Sequence, residues 1–304
     1  MSKTTIFCSA AALVAVAGAA LAQPPGITME QINTTLPLEG APLAVPGPYQ
    51  VTSGAVSGAP GLMVFHPANL DAFPSRDTLP VLVWGNGYCA LDTSLYSGFL
   101  STIASHGFLV LGTAAQEGAA RGRATADNLR AGIDWAFAEN ARDGSPLRGK
   151  IDTNQVAAMG QSCGGFLSVS LGADPRVDTI GMFNSGVQPP NPNAPPGGAS
   201  TDSLKDLHGP VLLINGAERD FLTPASHATY EAITHVPAFY GARANAGHTA
   251  TVFHPGGGEY ANVASNWLRW QFKKSSEASK MFVGDDCSLC TNPNWDVESK
   301  GFGK

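Results

Sequence analysis

The sequence predicts an α/β domain, in which a mostly parallel central sheet carries helices on both faces. Short apolar runs bounded by Gly and Pro are typical of strands buried on both faces, and longer amphipathic segments alternate with them. Alternation of this kind is the pattern of parallel strands joined by crossover helices. Because we find neither an internal repeat nor a second set of core segments, we expect one such domain.

The composition fits a packed globular body. Of the 304 residues, 43% are hydrophobic and 14% are charged, which argues against disorder. The net charge is −6 and the isoelectric point is about 5.6. This net negative charge gives no indication of a basic patch that would bind nucleic acid or anionic lipid. We therefore expect an uncharged or weakly polar ligand.

Residues 1–22 have the features of a signal peptide. Lys3 supplies a positive charge, residues 10–21 form an apolar run too short to cross a bilayer, and Ala20-Leu21-Ala22 fits a small-x-small cleavage site. We therefore expect a secreted or periplasmic chain that starts at Gln23 and has no membrane span. A retained membrane anchor is the alternative.

The segment before the predicted domain, residues 23–60, is rich in Pro and Gly. We expect an extended arm there, with a possible edge strand near residues 49–51. The domain itself is predicted over residues 61–275. Its strands are expected, from their apolar runs, at residues 62–65, 80–84, 108–111, 156–159, 179–183, 211–214 and 238–243.

The predicted helices are recognised by apolar residues at helical spacing, such as Leu129 and Ile133 in one and Val263 and Trp267 in another. They are expected at residues 94–106, 124–140, directly after Ser162, at 224–235 and at 259–274. A Pro/Gly/Asn-rich loop, residues 187–203, follows a strand and either shapes a substrate cleft or is a solvated connector. The tail, residues 276–304, is polar and contains Cys287-Ser-Leu-Cys290.

A candidate nucleophile lies at the end of the strand at residues 156–159. The sequence Gly160-Gln161-Ser162-Cys163-Gly164 stands between this strand and a helix, which is the setting of a nucleophile elbow. The sharp turn exposes the serine hydroxyl, and the flanking glycines let neighbouring backbone approach closely. Since the short pattern alone is weak, Ser162 needs partners elsewhere in the chain.

The partners are found in the order Ser, Asp, His, each after a predicted strand. A serine hydroxyl needs a base to take its proton, and the base must be oriented by a carboxylate. Asp220 follows the strand at residues 211–214, and His248 lies in a loop of small residues after the strand at 238–243. Glu218, in the same loop as Asp220, and His254 are the alternatives.

An acyl-transfer site also needs two backbone N–H groups that bind the developing oxyanion. One is expected from Cys163, the residue after the nucleophile. The other is expected from Tyr88 in the loop 85–89, with Gly87 as the alternative. This chemistry requires no metal and no cofactor.

The chain resembles the secreted α/β-hydrolases of the dienelactone-hydrolase-like and polyester-hydrolase (bacterial cutinase-like) branch, from about residue 79 to 274. The motifs that carry the resemblance are Gly87-Tyr88, Ala104-Ser-His-Gly-Phe108, Met159-Gly-Gln-Ser-Cys-Gly-Gly165, Glu218-Arg-Asp-Phe-Leu-Thr-Pro224 and Gly247-His248. The resemblance implies the α/β-hydrolase fold. It also implies that Ser162, Asp220 and His248 are nucleophile, acid and base, with Tyr88 as an amide donor.

The chain departs from this family at positions near the nucleophile. Polyester hydrolases of this type usually have Trp or His before the serine and Met after it, where this chain has Gln161 and Cys163. They also tend to have a Trp in the loop where Asn184-Ser-Gly-Val187 stands here. Polyester cleavage is therefore one possibility within a broader esterase prediction.

We expect a serine ester hydrolase (carboxylesterase, or lipase-, cutinase- or polyester-hydrolase-like) that works through an acyl-enzyme. It would act as a monomer on a small-molecule or polymeric ester. A peptidase or acyltransferase on the same residues, and a non-catalytic secreted binding protein, are the alternatives.

Removal of the signal peptide would leave four cysteines in an oxidising compartment, and they allow three pairings. In the usual strand order of the α/β-hydrolase fold, the strands before Cys89 and Cys163 are neighbours. We therefore expect a Cys89–Cys163 bridge beside the oxyanion donors, which leaves Cys287 to pair with Cys290. The alternative is that Cys163 is an unpaired small apolar residue.

Overall fold

A sheet of nine strands runs through the part of the chain that the computed structural model describes: residues 38, 40–56, 58–59, 61–115, 122–190 and 199–302. The strands are β1 Val51–Ala55, β2 Leu62–Pro67, β3 Leu79–Gly85, β4 Leu109–Thr113, β5 Ile151–Gln161, β6 Thr179–Phe183, β7 Val211–Gly216, β8 Ala238–Arg243 and β9 Trp295–Lys300. Their order across the sheet is β1-β2-β4-β3-β5-β6-β7-β8-β9.

The six central strands, from β4 to β8 in this order, are all parallel. The ladders outside this group are antiparallel: β2 pairs antiparallel with β1 and β4, and β9 pairs antiparallel with β8, so β2 and β9 run against the central strands. An open, mostly parallel sheet with helices on its faces confirms the predicted fold class.

The helices are α1 Ser97–Ser105, α2 Ala126–Ala141, α3 Cys163–Ser170, α4 Thr223–Ala232, α5 Gly258–Gln271 and α6 Ser276–Ser279. Side chains of β3 alternate between the two faces of the sheet. Val81 and Val83 join a core cluster with α2, α3 and α4, whereas Leu82 and Trp84 join a second cluster with α1 and α5. Burial on both faces explains why β3 is an unbroken apolar run.

Residues 40–50, part of the predicted arm, form no helix or strand and are bound to the helices α1 and α5. The amide of Val45 donates to Oδ1 of Asn262 in α5 (2.7 Å), and Nδ2 of Asn262 donates to the carbonyl of Leu43 (2.8 Å). The amide of Gly47 donates to Oγ of Ser105 at the end of α1 (2.7 Å). The chain then enters β1, which is an edge strand of the sheet.

Strand β9 lies in the polar tail and was not predicted from the sequence. Trp295 is buried at its start, and the indole Nε1 donates to Oε1 of Glu259 in α5 (2.7 Å). The other oxygen of Glu259 accepts from Nε of Arg243 (2.8 Å), the last residue of β8. The tail is thus joined to the sheet by the β8–β9 ladder and to α5 by the Trp295–Glu259 hydrogen bond, and the same Glu259 forms a buried ion pair with Arg243.

The predicted signal peptide, residues 1–22, lies outside the described residues. Within the ranges that are described, no helix is long and apolar enough to span a bilayer.

The carboxyl ends of the parallel strands meet at one edge of the sheet, where open α/β sheets bind their ligands. The loops that leave β3, β5, β7 and β8 at this edge contain Tyr88, Ser162, Asp220 and His248, respectively. The candidate site is therefore located at this edge.

Candidate active site

Ser162 lies in the tight turn between β5 and α3. Its backbone angles are φ 54° and ψ −119°, a conformation that is strained for a residue with a side chain. The turn is held by the Ser162 amide, which donates to the carbonyl of Phe183 (2.9 Å), and by the Ser185 hydroxyl, which donates to the Ser162 carbonyl (2.8 Å). These bonds fix the sharp turn expected of a nucleophile elbow, in which Ser162 is partly exposed.

Three glycines allow the elbow to pack against the loop after β3. A Cβ atom added at Gly164 would lie 1.9 Å from the carbonyl oxygen of Gly85, and one at Gly160 would lie 2.4 Å from the backbone of Gly164. Such distances are impossible for real atoms. The glycines therefore let the turn with Ser162 and the loop with Tyr88 approach at backbone distance.

His248 lies between Ser162 and Asp220. Its Nε2 atom is 2.8 Å from Oγ of Ser162, and its Nδ1 atom is 2.9 Å from Oδ1 of Asp220. A carboxylate only accepts hydrogen bonds, so Nδ1 carries the ring proton and Nε2 accepts from the serine hydroxyl. The ring of Phe221 packs on the imidazole, with 4.2 Å between ring centroids. The structure thus brings the three predicted residues into one hydrogen-bonded chain.

Asp220 is 2% exposed, and both of its carboxylate oxygens are bound. Oδ1 also accepts from the amide of Leu222 (3.1 Å), and Oδ2 accepts from Nδ2 of Asn184 (2.8 Å). Asn184 follows β6, is fully buried and has φ 47°, in the left-handed region that Asn tolerates better than most residues. In the sequence, Asn184 is notable only because it departs from a family pattern. The contact with Asp220 was therefore not predicted.

The two alternatives for acid and base lie elsewhere. Glu218 is exposed, whereas Asp220 is buried. His254 caps the turn before α5, where its amide donates to the Thr251 carbonyl and its carbonyl accepts from Gly257. Burial lowers the pKa of His254. Among the described residues, neither Glu218 nor His254 has a hydrogen bond to Ser162, Asp220 or His248.

Tyr88 and Cys163, the expected oxyanion donors, flank Ser162. Tyr88 adopts a left-handed backbone conformation, with φ 59° and ψ 9°, in the loop that packs on the elbow. Cys163 is the first residue of α3, where backbone N–H groups lack partners within the helix. Neither amide donates to another group of the described chain. By contrast, the amide of the alternative donor, Gly87, donates to the hydroxyl of Tyr96 (2.7 Å).

Both expected disulfides are present. Cys89 is bonded to Cys163, with 5.2 Å between their Cα atoms, and Cys287 is bonded to Cys290. The first bridge joins the residue after Tyr88 to the residue after Ser162. It therefore links the two loops that carry the candidate oxyanion donors.

The loop 187–203 is described only in part, since residues 191–198 lie outside the described residues. Its first residue, Val187, is buried in the core, and the Val187 amide donates to Oγ1 of Thr229 in α4 (2.9 Å). Within the described ranges, no group of three or more His, Cys, Asp or Glu side chains could hold a metal ion.

The strand order, the elbow and the loops at the carboxyl edge define an α/β-hydrolase. The chain belongs to the PET hydrolase-like (PETase) family, whose family model matches residues 35–292. Membership of this family makes the protein a hydrolase of ester bonds. No curated protein matches the chain.

Proposed function

We propose that the protein is a secreted serine hydrolase that cleaves esters, including polyesters, through an acyl-enzyme. The observation that carries the proposal is the continuous hydrogen-bonded chain from Asp220 through His248 to Ser162, with the serine in a strained elbow. A serine hydroxyl that is partly exposed at such a turn and bonded to an oriented imidazole has the geometry of an activated nucleophile.

In the first half of the reaction, Oγ of Ser162 attacks the ester carbonyl carbon while Nε2 of His248 takes the hydroxyl proton. The carbonyl oxygen becomes an oxyanion, which accepts hydrogen bonds from the Tyr88 and Cys163 amides. Asp220 stabilises the imidazolium that forms. The intermediate then collapses: the bond to the alcohol oxygen breaks, and His248 gives its proton to the departing alcohol.

In the second half, a water molecule attacks the carbonyl carbon of the acyl-serine. His248 takes one proton from the water, and the same amides bind the second oxyanion. Breakage of the bond to Ser162 releases the carboxylic acid, and the proton on His248 returns to Oγ. The enzyme regains its starting state without any further reactant.

Family membership and an apolar surface beside the site support a hydrophobic or polymeric ester as the substrate. Tyr88, Leu95 and Phe253 are large apolar side chains that are 59%, 70% and 41% exposed. Leu95 is adjacent to Tyr96, and Phe253 packs on the Tyr96 ring at 5.1 Å. The Tyr96 hydroxyl accepts a hydrogen bond from Gly87 in the loop with Tyr88, so the three side chains belong to neighbouring segments.

Secretion is supported by the predicted signal peptide and by the two disulfides, which persist in oxidising compartments. One chain supplies every group that the mechanism uses, so the proposed reaction requires no second copy.

The experiment is hydrolysis of p-nitrophenyl esters of increasing acyl length, alongside the matching p-nitroanilides and an amorphous aromatic polyester film. We expect ester cleavage that is lost in Ser162→Ala, with release of soluble acid from the film and little cleavage of the anilides. Faster cleavage of the anilides would favour a peptidase. No turnover of any substrate by the folded wild-type protein would favour the binding-protein alternative.

A further inference from the structure

We infer that Gln161 and Tyr96 are positioning residues. Through one buried chain of hydrogen bonds, they hold the loop that contains Tyr88, the nucleophile Ser162 and the base His248 in their relative positions. The inference rests on the proposed esterase function. It assigns a role to Gln161, which stands where related polyester hydrolases usually have Trp or His.

The chain of hydrogen bonds runs in one direction, from donor to acceptor, through four groups. The amide of Gly87 donates to the hydroxyl of Tyr96 (2.7 Å), and this hydroxyl donates to Oε1 of Gln161 (2.9 Å). Nε2 of Gln161 then donates to the backbone carbonyl of His248 (2.9 Å). Each polar atom in the chain thus has a defined role as donor or acceptor, and the side-chain amide of Gln161 has only one orientation that satisfies all the bonds.

The three loops joined by this chain leave three different strands. Gly87 precedes the candidate oxyanion donor Tyr88 in the loop after β3, and Gln161 precedes Ser162 at the end of β5. His248 follows β8, which is separated from β5 by β6 and β7. No ladder joins β8 to β3 or β5, so the Gln161 side chain bridges loops that the sheet itself leaves unconnected.

Gln161 is buried, which indicates that its side chain links the loops and does not contact the substrate. Gln161 is 3% exposed and Tyr96 is 3% exposed. A Cβ atom added at Gly87 would lie 2.1 Å from Oε1 of Gln161 and 2.7 Å from the Tyr96 hydroxyl. Gly87 therefore leaves the space that the Gln161 amide and the Tyr96 hydroxyl occupy.

Burial makes each bond in this chain costly to lose. A buried polar group left without its partner carries the full desolvation penalty, so the loops shift to find a new one. Because the reacting groups must be placed to within a fraction of an ångström, a small shift of Tyr88 or His248 slows the chemical step. Burial also raises the pKa of Tyr96, which keeps its hydroxyl protonated as a donor at working pH.

The first test uses Tyr96→Phe and Gln161→Leu, which remove the hydroxyl and the amide with little change of shape. We expect kcat for a p-nitrophenyl ester to fall about 10- to 100-fold, with KM changed less than about three-fold. The double variant should lose little more than the worse single variant, because both changes break the same chain. If Gln161→Leu does not fold, Tyr96→Phe, which removes one oxygen atom, still gives the result.

Two variants away from the site serve as matched controls. Gln155→Leu removes a glutamine in the middle of β5, away from the site, whose Nε2 donates to the Phe272 carbonyl (2.9 Å). Tyr49→Phe removes a tyrosine hydroxyl that bonds to Asp77. Both controls lose one side-chain hydrogen bond, and we expect kcat within about two-fold of wild type.

The second test is the pH profile of Gln161→Glu. A neutral carboxyl group can reproduce both bonds of Gln161, but a carboxylate cannot donate to the His248 carbonyl. Burial raises the pKa of an introduced carboxyl group, so the variant should be active at lower pH and lose activity as pH rises. We expect a bell-shaped profile where the wild type reaches a plateau. Thermal stability should also fall along the descending limb, because a carboxyl group whose pKa is raised by folding destabilises the folded state as pH rises, so the activity is measured well below the melting temperature of the variant.

The outcomes separate this inference from the proposed function. An inactive wild type, or activity that survives in Ser162→Ala, contradicts the esterase mechanism. An active wild type whose Tyr96→Phe and Gln161→Leu variants keep kcat within about two-fold contradicts the positioning role alone. A raised KM at unchanged kcat also contradicts it, since the pair would then act in substrate binding.

Discussion

Asn184 donates a hydrogen bond of 2.8 Å to Oδ2 of Asp220, whose other oxygen holds the imidazole of His248. The bond fixes the orientation of the Asp220 carboxylate. The carboxylate in turn fixes the plane of the His248 imidazole ring. Asn184→Ala should therefore lower kcat for ester hydrolysis about ten-fold, which corresponds to loss of one hydrogen bond to a charged group. Steady-state kinetics with a p-nitrophenyl ester measure this change.

Asn262→Ala is the matched control for Asn184→Ala. Asn262 is also a buried asparagine with two hydrogen bonds, but these hold residues 43 and 45 of the N-terminal arm. The control should lower the free energy of unfolding and leave kcat unchanged. Equal losses of kcat in the two variants would mean that Asn184 acts through stability alone.

His248→Ala should lose about 10³-fold or more in kcat, because His248 is the base hydrogen-bonded to the Ser162 hydroxyl among the described residues. His254→Ala is its control, since His254 follows the same strand but has no hydrogen bond to Ser162 or Asp220 among the described residues. If His254→Ala is inactive and His248→Ala keeps its activity, the base has been assigned to the wrong residue.

The Cys89–Cys163 disulfide joins the two loops that carry the candidate oxyanion donors. Replacing both cysteines by serine should lower kcat about ten-fold with little change in KM, because these donors act mainly in the transition state. The two cysteines are 74 residues apart, so the free energy of unfolding should also fall, by about 4 kcal/mol on the chain-entropy account.

The double serine variant of Cys287 and Cys290 provides the comparison. This bridge closes a loop with a sequence separation of only 3 and lies in the tail, so kcat should not change. A similar loss of kcat in the two double variants would show that the Cys89–Cys163 bridge has no specific effect on the site.

The buried Arg243–Glu259 ion pair predicts a large effect on stability. Glu259→Gln would remove the carboxylate that pairs with the buried Arg243 guanidinium at 2.8 Å, and removal of one partner of such a pair costs about 3–5 kcal/mol. Denaturant unfolding measures the change. Glu277→Gln, which removes the partner of the exposed Lys280, is the control and should leave the midpoint of unfolding unchanged.

The parallel core of the sheet could be predicted because its strands are buried on both faces. Strands β6 and β8 have the predicted bounds, since both are apolar runs with clear ends. Strand β5 begins five residues earlier than predicted, at Ile151, because its first part is polar and partly exposed. Strand β9 was missed for a similar reason: only Trp295 and Val297 face inward along a strand of otherwise polar residues.

The order of Ser162, Asp220 and His248 could be read from motifs because each follows a predicted strand, and the fold brings such loops to one edge. The contacts of Asn184, Tyr96 and Gln161 could not be read in this way. The direction of a buried polar side chain depends on partners distant in sequence: 65 residues separate Tyr96 from Gln161. Such pairs leave no local signal in a single sequence.

Reaction with a fluorophosphonate probe, followed by mass spectrometry of the labelled peptide, tests the central claim most directly. Only a serine activated by a base and an oxyanion hole reacts readily with such a probe. We expect one adduct per chain, on Ser162, and none in Ser162→Ala or in heat-denatured protein. An adduct on another serine, or no adduct on a folded protein that still hydrolyses esters, would contradict the account.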